Sequence, residues 1–176
     1  MSGNYGGTEG VYVAQGVSGP GIFAARDLAE GDLLFRFSGP IITLSQALAK
    51  REAGRKVLQI APPTYIDLEP PGAFANHSCE PNAGLRDLVC GFALRPIATG
   101  EEIFFDYSAT MSEQNWTMLC RCGTPTCRGV IADFHDLPPE LQRRYIEMRI
   151  VQPFIVAEWR QLQGSPNETA EGLTPA

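Results

Sequence analysis

Short apolar segments separated by glycine and proline turns dominate the first two thirds of the chain. Each apolar run is brief, alternates in part with polar residues, and ends at a turn signal. This pattern is typical of short strands in hairpins or meanders and not of long helices. We predict strands over 11–14, 22–24, 33–37, 41–43, 57–60, 65–68, 88–94 and 103–105.

Helical spacing is confined to two places. Residues 45–54 begin with a hydroxyl residue suited to N-capping and end at a glycine, which predicts a short first helix. After Pro138-Pro139, apolar residues recur at helical intervals and predict a C-terminal helix that Pro153 kinks before residues 154–162. The apolar positions of its first part are Leu141, Tyr145, Met148 and Val151. Core packing explains this stripe most simply, and a homodimer through the C-terminal helix is the alternative.

Length and composition predict a globular protein with one main domain. The chain has 176 residues, of which 44% are hydrophobic and 19% charged, and it lacks an apolar run long enough to span a membrane. Its first residues lack the basic and apolar regions of a signal peptide. We therefore expect an intracellular protein. No Lys/Arg cluster resembles an import signal, so the expectation covers both the cytoplasm and the nucleus.

The charge balance bears on the choice of partner. Twenty acidic and 14 basic residues give a net charge of −6. A negative surface does not favour direct binding of nucleic acid, whose backbone is itself anionic. It accommodates a basic protein partner, which an acidic field would steer toward the molecule.

Five cysteines indicate a metal site, since an odd number without a secretory signal argues against a disulfide framework. Cys120, Cys122 and Cys127 supply three thiols within eight residues, and a structural zinc ion takes four ligands in a closed tetrahedral site. Cys90 lies in an apolar segment and is interpreted as a buried spare thiol.

The fourth ligand has to come from elsewhere in the chain. Cys79 is the preferred donor, with His77 and His135 as alternatives. A site closed by Cys79 would fix the cysteine-rich loop beside the polar stretch around Asn76. Four thiolates favour a structural ion, because a catalytic zinc keeps an open position.

Two motifs carry the candidate chemistry. The stretch 76–82, Asn-His-Ser-Cys-Glu-Pro-Asn, combines amide, imidazole and thiol groups and is expected to form a turn, because Pro81 and Asn82 end regular structure. The stretch 100–107, Gly-Glu-Glu-Ile-Phe-Phe-Asp-Tyr, ends a predicted strand with Tyr107. We expect the active site to lie between them.

Taken together, these motifs resemble SET-domain lysine methyltransferases with a post-SET zinc-binding segment. Gly19-Pro20-Gly21 resembles the family's N-terminal glycine element, 30–39 the strand pair after it, and 65–67 the strand before the central turn. The stretches 76–82 and 100–107 resemble the two signature motifs, and 120–129 the post-SET segment. The resemblance covers roughly residues 11–130.

The resemblance implies a mainly β fold, the SET-domain β-clip of small curled sheets with a threaded C-terminal segment and a zinc-pinned post-SET loop. The C-terminal helix predicted above from its helical spacing completes the fold and lies outside the best-matched region. Composition, spacing and the resemblance together predict five parts: a disordered N-terminus 1–10, the SET domain 11–110, the post-SET loop 111–131, a C-terminal helical extension 132–163 and a disordered tail 164–176.

The resemblance also implies roles for individual residues. Tyr107 would be the catalytic tyrosine, and Cys79 the fourth ligand of one structural Zn²⁺. S-adenosylmethionine would be held by Gly19, Pro20, Gly21, Asn76 and His77. Phe105 would line the substrate channel, where phenylalanine resembles members that add more than one methyl group. Channel walls would come from Tyr65, Trp116, Phe74 or Phe134.

The implied activity is transfer of a methyl group to a lysine amine of a protein, either a histone or another basic protein. Two departures limit the implication: the segment between Gly39 and Tyr65 is short, and 72–75 is shorter than the family pattern. The alternatives are a catalytically silent SET-fold binding module and a SET fold that acts on a small molecule.

Overall fold

The computed structural model describes residues 10–16, 18–54, 56–114 and 116–164. The disordered ends expected at 1–10 and 164–176 lie outside the described residues, except for Gly10 and Gly164. Within the described ranges the fold is mainly β, built from small sheets, as predicted. The four boundaries between the five predicted parts stay predictions.

Twelve short strands and three α-helices form the described part of the chain. The strands are β1 (Val11–Gly16), β2 (Gly19–Ala24), β3 (Leu33–Arg36), β4 (Ile41–Thr43), β5 (Val57–Ala61), β6 (Thr64–Asp67), β7 (Asn76–His77), β8 (Ala83–Arg86), β9 (Cys90–Ala93), β10 (Glu102–Phe105), β11 (Met118–Leu119) and β12 (Val130–Ile131). The helices are α1 (Leu44–Glu52), α2 (Pro139–Glu147) and α3 (Pro153–Gly164).

The sheet that positions the site has the strand order β1-β2-β10-β7. Strands β1, β2 and β10 are antiparallel neighbours, whereas β7 runs parallel to β10. Two further antiparallel sheets have the orders β3-β9-β8 and β4-β6-β5, and β11 pairs with β12. Among the described residues no sheet exceeds four strands and no strand exceeds six residues, and the short strands match the short apolar runs of the sequence.

The main core lies between these sheets. Its buried members include Ile22, Phe35, Phe37 and Ile103, with Phe105 at the edge nearest the site. A second buried cluster lies under the C-terminal helices and is formed by Ala109, Phe134, Leu137, Tyr145, Ile150, Val151 and Ile155. Tyr107 packs on the first cluster and Ala109 belongs to the second, so the segment after β10 joins the two cores.

Helix α1 begins one residue earlier than predicted. The N-cap is Thr43, which accepts a hydrogen bond from the Gln46 backbone while the Gln46 side chain accepts one from Thr43 N. This reciprocal capping box favours Thr43 over Ser45 as the start.

The prediction of one kinked C-terminal helix is wrong, because the chain forms two separate helices. Helix α2 ends at Glu147, and Arg149 adopts a left-handed backbone with φ of 57° before α3 begins. Ile155 is buried under α3, and Trp159 Nε1 donates a 2.8 Å hydrogen bond to Gln142 on α2. These side chains pack within the chain, and the homodimer stays a prediction.

The middle of the chain departs from the predicted pattern in two places. Asn76 and His77 form a strand and not a turn, because β10 offers them a parallel partner. The strand predicted at 88–94 is shortened to β9, and a tight turn in which Asp87 and Leu88 have positive φ angles of 51° and 67° joins it to β8, a strand not predicted from the sequence.

Of the helices that the described residues form, none is long and apolar enough to cross a membrane.

Candidate functional site

Parallel pairing of β7 with β10 brings the two polar motifs into contact. Asn76 lies opposite Phe104 and His77 opposite Phe105, and Ser78 N donates a 3.2 Å hydrogen bond to Phe105 O. The candidate residues of the second motif therefore lie beside those of the first. The sequence predicted this proximity but not the strand pairing that creates it.

Buried Asn82 fixes the far end of the first motif. Its Nδ2 donates to Glu102 O at 2.8 Å, and its Oδ1 accepts from Phe104 N at 2.8 Å. One side chain therefore satisfies two backbone groups of β10 that the short β7 leaves unpaired. Sequence reasoning assigned no function to Asn82 beyond ending the turn.

Asn76 connects three parts of the site. Its Nδ2 donates to Pro20 O at 3.1 Å and to Glu102 Oε1 at 2.9 Å, and its Oδ1 accepts from Lys56 Nζ at 2.9 Å. The predicted glycine element therefore meets Asn76 through the Pro20 carbonyl.

The glycine element requires its glycines for two reasons. Gly19 has a φ of 103°, which side-chain-bearing residues rarely adopt. A Cβ on Gly21 would lie 2.2 Å from Glu102 Oε1, so any larger residue would displace the carboxylate that holds Asn76. Ser18, the residue directly before the glycine element, borders the cavity described next. Seen from that cavity, Gly19, Pro20 and Gly21 lie behind Asn76.

A cavity of about 960 Å³ opens beside β7 and the end of β10. Asn76, His77, Phe105, Tyr107 and Trp116 contribute to its wall. Its charged lining consists of Arg51, Lys56 and Arg121, and no carboxylate is among the described lining residues. The cavity therefore suits a ligand with an anionic group and an apolar or aromatic part.

Tyr107 lies at the centre of this wall. Its hydroxyl donates a 2.8 Å hydrogen bond to Ala75 O, and its ring packs against Phe105 and His77 at centroid distances of 4.9 and 5.2 Å. Burial raises the pKa of Tyr107, so the group remains a neutral hydroxyl near neutral pH. It can orient a reacting group, but it is not poised as a base.

His77 is neutral and hydrogen-bonded to the backbone of Tyr107. Its Nδ1 accepts a 3.2 Å hydrogen bond from Tyr107 N, which requires that nitrogen to be unprotonated. Burial lowers the pKa of His77 to about 4, against the opposing charge of Asp106. His77 thus holds the backbone of Tyr107 in place.

The four cysteines named from the sequence converge in space. The sulfur atoms of Cys79, Cys120, Cys122 and Cys127 all lie within 4.8 Å of one another. Cys79 Sγ and Cys120 Sγ are 3.7 Å apart, close to the edge of about 3.8 Å expected for tetrahedral sulfur ligands 2.3 Å from zinc. The donor set therefore fits a closed metal site.

The alternative histidine ligands lie outside this cluster. His77 Nε2 is 3.5 Å from Cys79 Sγ but is not among the ligand atoms that all lie within 4.8 Å of one another, and His135 lies against Glu158 of α3. Cys90 is buried on β9, apart from the other four thiols, as predicted for a spare cysteine. Cys122 also borders the cavity, so a metal at the cluster would stabilise one of its walls.

Asp106 anchors the cysteine-rich loop and the C-terminal helices to the site. Arg128 pairs with both of its carboxylate oxygens at 2.8 and 2.7 Å, and Tyr145 of α2 donates to Oδ2 at 2.9 Å. Ser108 N also donates to Asp106 Oδ1. The sequence predicts Tyr145 only as an apolar position of the C-terminal helix and does not single out Arg128, because both meet Asp106 only through the fold.

The predicted channel residues lie in different surroundings. Phe105 and Trp116 line the cavity, whereas Tyr65 is buried and donates a 2.5 Å hydrogen bond to Glu113. The Arg51 guanidinium stacks between them, 5.7 Å from the Tyr65 ring centroid and 5.4 Å from that of Trp116. Phe74 packs on the main core and Phe134 lies in the second cluster. The channel assignments stay predictions.

Comparison with known proteins gives a consistent result. A family model described as SET domain matches residues 19–108. The chain is 33% identical over 137 residues to histone-lysine N-methyltransferase ATX2 of Arabidopsis thaliana, which covers 67% of this chain and 12% of that protein. It is 32% identical over 130 residues to histone-lysine N-methyltransferase ash1 of Drosophila melanogaster, covering 64% and 6%. It is 31% identical over 137 residues to histone-lysine N-methyltransferase 2B of Homo sapiens, covering 68% and 5%. The chain thus matches a small part of the length of each relative.

Proposed function

The chain belongs to the SET-domain family, and from that premise we propose that it transfers methyl groups from S-adenosylmethionine to lysine side chains of a basic protein. Histones are the first candidates, because the relatives compared above are named histone-lysine N-methyltransferases. The observation that carries the proposal is the Tyr107 hydroxyl, held on Ala75 O inside a cavity that Asn76 and Phe105 also line.

The cavity residues fit the proposed cofactor. Its methionine part carries a carboxylate and an ammonium group, which match the cationic lining and the Asn76 carboxamide. Asn76 Oδ1 already accepts a hydrogen bond from an ammonium group, that of Lys56. We assign cofactor binding to Asn76, His77 and the Gly19-Pro20-Gly21 strand behind them. When bound, S-adenosylmethionine supplies an electrophilic methyl group on a sulfonium sulfur.

The protein's own contribution to the reaction is desolvation and positioning. A lysine ammonium has a pKa of about 10.4 in water and attacks only after losing its proton. Phe105 and Trp116 would surround the amine with apolar surface, which favours its neutral form. Tyr107 O–H and the Ala75 carbonyl would orient the reacting groups, and such positioning can contribute several kcal/mol.

We propose one structural Zn²⁺ at the four cysteines. The sulfur spacing supports this assignment, and the loop 120–129 has little regular structure of its own. The ion would hold that loop against the 76–82 motif and would not take part in chemistry, because four thiolates leave no open coordination position.

Methyl transfer from labelled S-adenosylmethionine to core histones, other basic proteins and free amines tests the proposal. Label on one protein, absent with Tyr107→Phe, would support it and identify the substrate. Label on free amines alone would favour the small-molecule alternative. Cofactor bound in calorimetry with no label on any acceptor would favour the silent module. A histone substrate would in turn imply a nuclear location, which cell fractionation would check.

A further inference from the structure

The amine of Lys56 lies inside the cavity that holds Tyr107. Lys56 Nζ donates hydrogen bonds to Ala75 O at 3.0 Å and to Asn76 Oδ1 at 2.9 Å. The Tyr107 hydroxyl donates to the same Ala75 oxygen at 2.8 Å. The lysine amine and the catalytic hydroxyl of the proposed function therefore converge on one carbonyl oxygen, with Nζ 6.0 Å from the Tyr107 ring centroid.

Lys56 differs from the other lysine of the chain in the groups that surround its amine. The sequence contains two lysines, Lys50 and Lys56. Lys50 forms a 2.6 Å ion pair with Asp67 and does not line the cavity. Its charge is thus compensated outside the site, whereas Lys56 Nζ is held within it by neutral oxygen atoms.

The surroundings of Lys56 favour a nucleophilic amine. Burial lowers the pKa of Lys56 to about 8, although the charge of Glu102 opposes the shift. The other charged groups lining the cavity are Arg51 and Arg121, which do not stabilise a neighbouring cation. About a tenth of the amine is therefore neutral at pH 7, roughly two hundred times more than for an ordinary lysine.

Cofactor binding would leave the amine beside Tyr107. Asn76 Oδ1 is the acceptor that the cofactor's own ammonium group would require, so the two cations would compete for it. Lys56 and Tyr107 both donate to Ala75 O, and the ammonium group of the cofactor would not compete with Lys56 for this acceptor.

We propose that Lys56 is a self-methylation site, modified in cis by the chain's own active site when no substrate lysine occupies the cavity. This inference rests on the proposed function. The neutral Lys56 nitrogen attacks the methyl carbon of the sulfonium donor S-adenosylmethionine. A nitrogen–carbon bond forms and the carbon–sulfur bond breaks, with its electron pair retained by sulfur as a neutral thioether. The extra proton on nitrogen passes to water.

Mass spectrometry of the full chain tests this directly. The chain is incubated with S-adenosylmethionine, its intact mass is measured, and peptides containing each lysine are fragmented. We expect the mass of one or more methyl groups on Lys56, at least roughly tenfold more than on Lys50, because the Lys56 amine is held at the reacting site. Modification of Lys50 alone, or of neither lysine while histones are methylated, overturns the inference.

Three variants establish the site and the route. Lys50→Arg should keep the modification, whereas Lys56→Arg and Tyr107→Phe should lose it. A tagged Tyr107→Phe chain mixed with active untagged chain should stay unmodified, because the amine of the half-buried Lys56 is hydrogen-bonded inside its own cavity and is reached only from there. Methyl groups on the tagged chain would overturn reaction in cis.

Two further measurements separate this inference from the proposed function. Core histones in the same tube report whether the enzyme transfers methyl groups at all. Calorimetric binding of S-adenosylhomocysteine to the wild-type and Lys56→Arg chains reports whether the cavity is intact, independently of turnover. Methylated histones with unmodified Lys56 overturn only the self-methylation. Tight cofactor binding with neither acceptor methylated overturns the proposed function as well.

Discussion

The Tyr145 hydroxyl, on helix α2, donates a 2.9 Å hydrogen bond to Oδ2 of Asp106, the residue directly before Tyr107. Asp106 is buried and also pairs with Arg128 of the cysteine-rich loop. Three segments distant in sequence therefore meet at one carboxylate. The position of Tyr107 depends on residues that lie outside the two polar motifs.

We expect Tyr145→Phe to reduce the free energy of unfolding by about 1–2 kcal/mol, because a buried carboxylate loses one hydrogen-bond donor. Urea unfolding measures this change. The matched control is Tyr12→Phe, the same substitution at a largely exposed tyrosine, which should have almost no effect. Equal effects of the two substitutions would show that the Asp106 contact contributes little.

Tyr107→Phe should reduce the rate of methyl transfer by at least about 100-fold and change cofactor affinity by less than about threefold. The substitution removes the hydroxyl on Ala75 O but keeps the ring that packs between Phe105 and His77. Turnover with labelled cofactor and calorimetry with S-adenosylhomocysteine give the two values. A rate near that of the wild type would contradict the catalytic role.

Removal of one cysteine ligand should release the proposed metal. The purified chain should contain one zinc ion, and Cys79→Ser should lose it and lower Tm by about 5 °C or more. Cys90→Ser is the matched control, since Cys90 is buried but lies outside the four-sulfur cluster. Elemental analysis and thermal unfolding check both variants. Full zinc content in Cys79→Ser would exclude Cys79 as a ligand.

Lys56 should titrate far below an ordinary lysine. Burial lowers its pKa to about 8, so the signal of carbon-13-labelled lysine should shift near pH 8, and Lys50→Arg assigns it. Between pH 8 and the unfolded value of about 10.4 the unfolded chain binds more protons, so this group makes stability rise with pH across that window. Two lysine signals that both titrate above pH 10 would contradict the buried environment.

Gly21→Ala should destabilise the chain by about 1–3 kcal/mol and weaken cofactor binding. The new Cβ would lie 2.2 Å from Glu102 Oε1, which must then release Asn76 Nδ2. Gly164→Ala, at the end of α3 with no atom near the added carbon, is the control. Unfolding curves and calorimetry report both effects. If a stable Gly21→Ala chain bound the cofactor with wild-type affinity, the hydrogen bond from Asn76 to Glu102 would not contribute to cofactor binding.

Much of the site could be predicted because its chemistry is local. Three thiols within 120–127 require a fourth metal ligand from elsewhere, and the structure brings Cys79 to them. The two polar motifs carry unusual groups at fixed spacing, and the structure pairs them on adjacent strands. Short apolar runs likewise indicated a mainly β fold of small sheets.

The errors came from contacts between distant segments. Asn76 and His77 were expected in a turn, since no local signal shows that Phe104 and Phe105 pair beside them. Residues after Pro138 have continuous helical spacing, yet the left-handed Arg149 ends α2 and lets Ile150 and Val151 enter the second core. Periodicity reports which residues are apolar but not where the backbone turns.

The sequence alone determined which reactive groups the chain carries, their order along it and the short length of the strands, because these depend on residue type and spacing. Tertiary structure decided which groups meet: Tyr145 and Arg128 at Asp106, Asn82 on β10, and Lys56 beside Tyr107. Each of these contacts joins residues at least about twenty positions apart, so their proximity depends on how the whole chain buries its apolar surface.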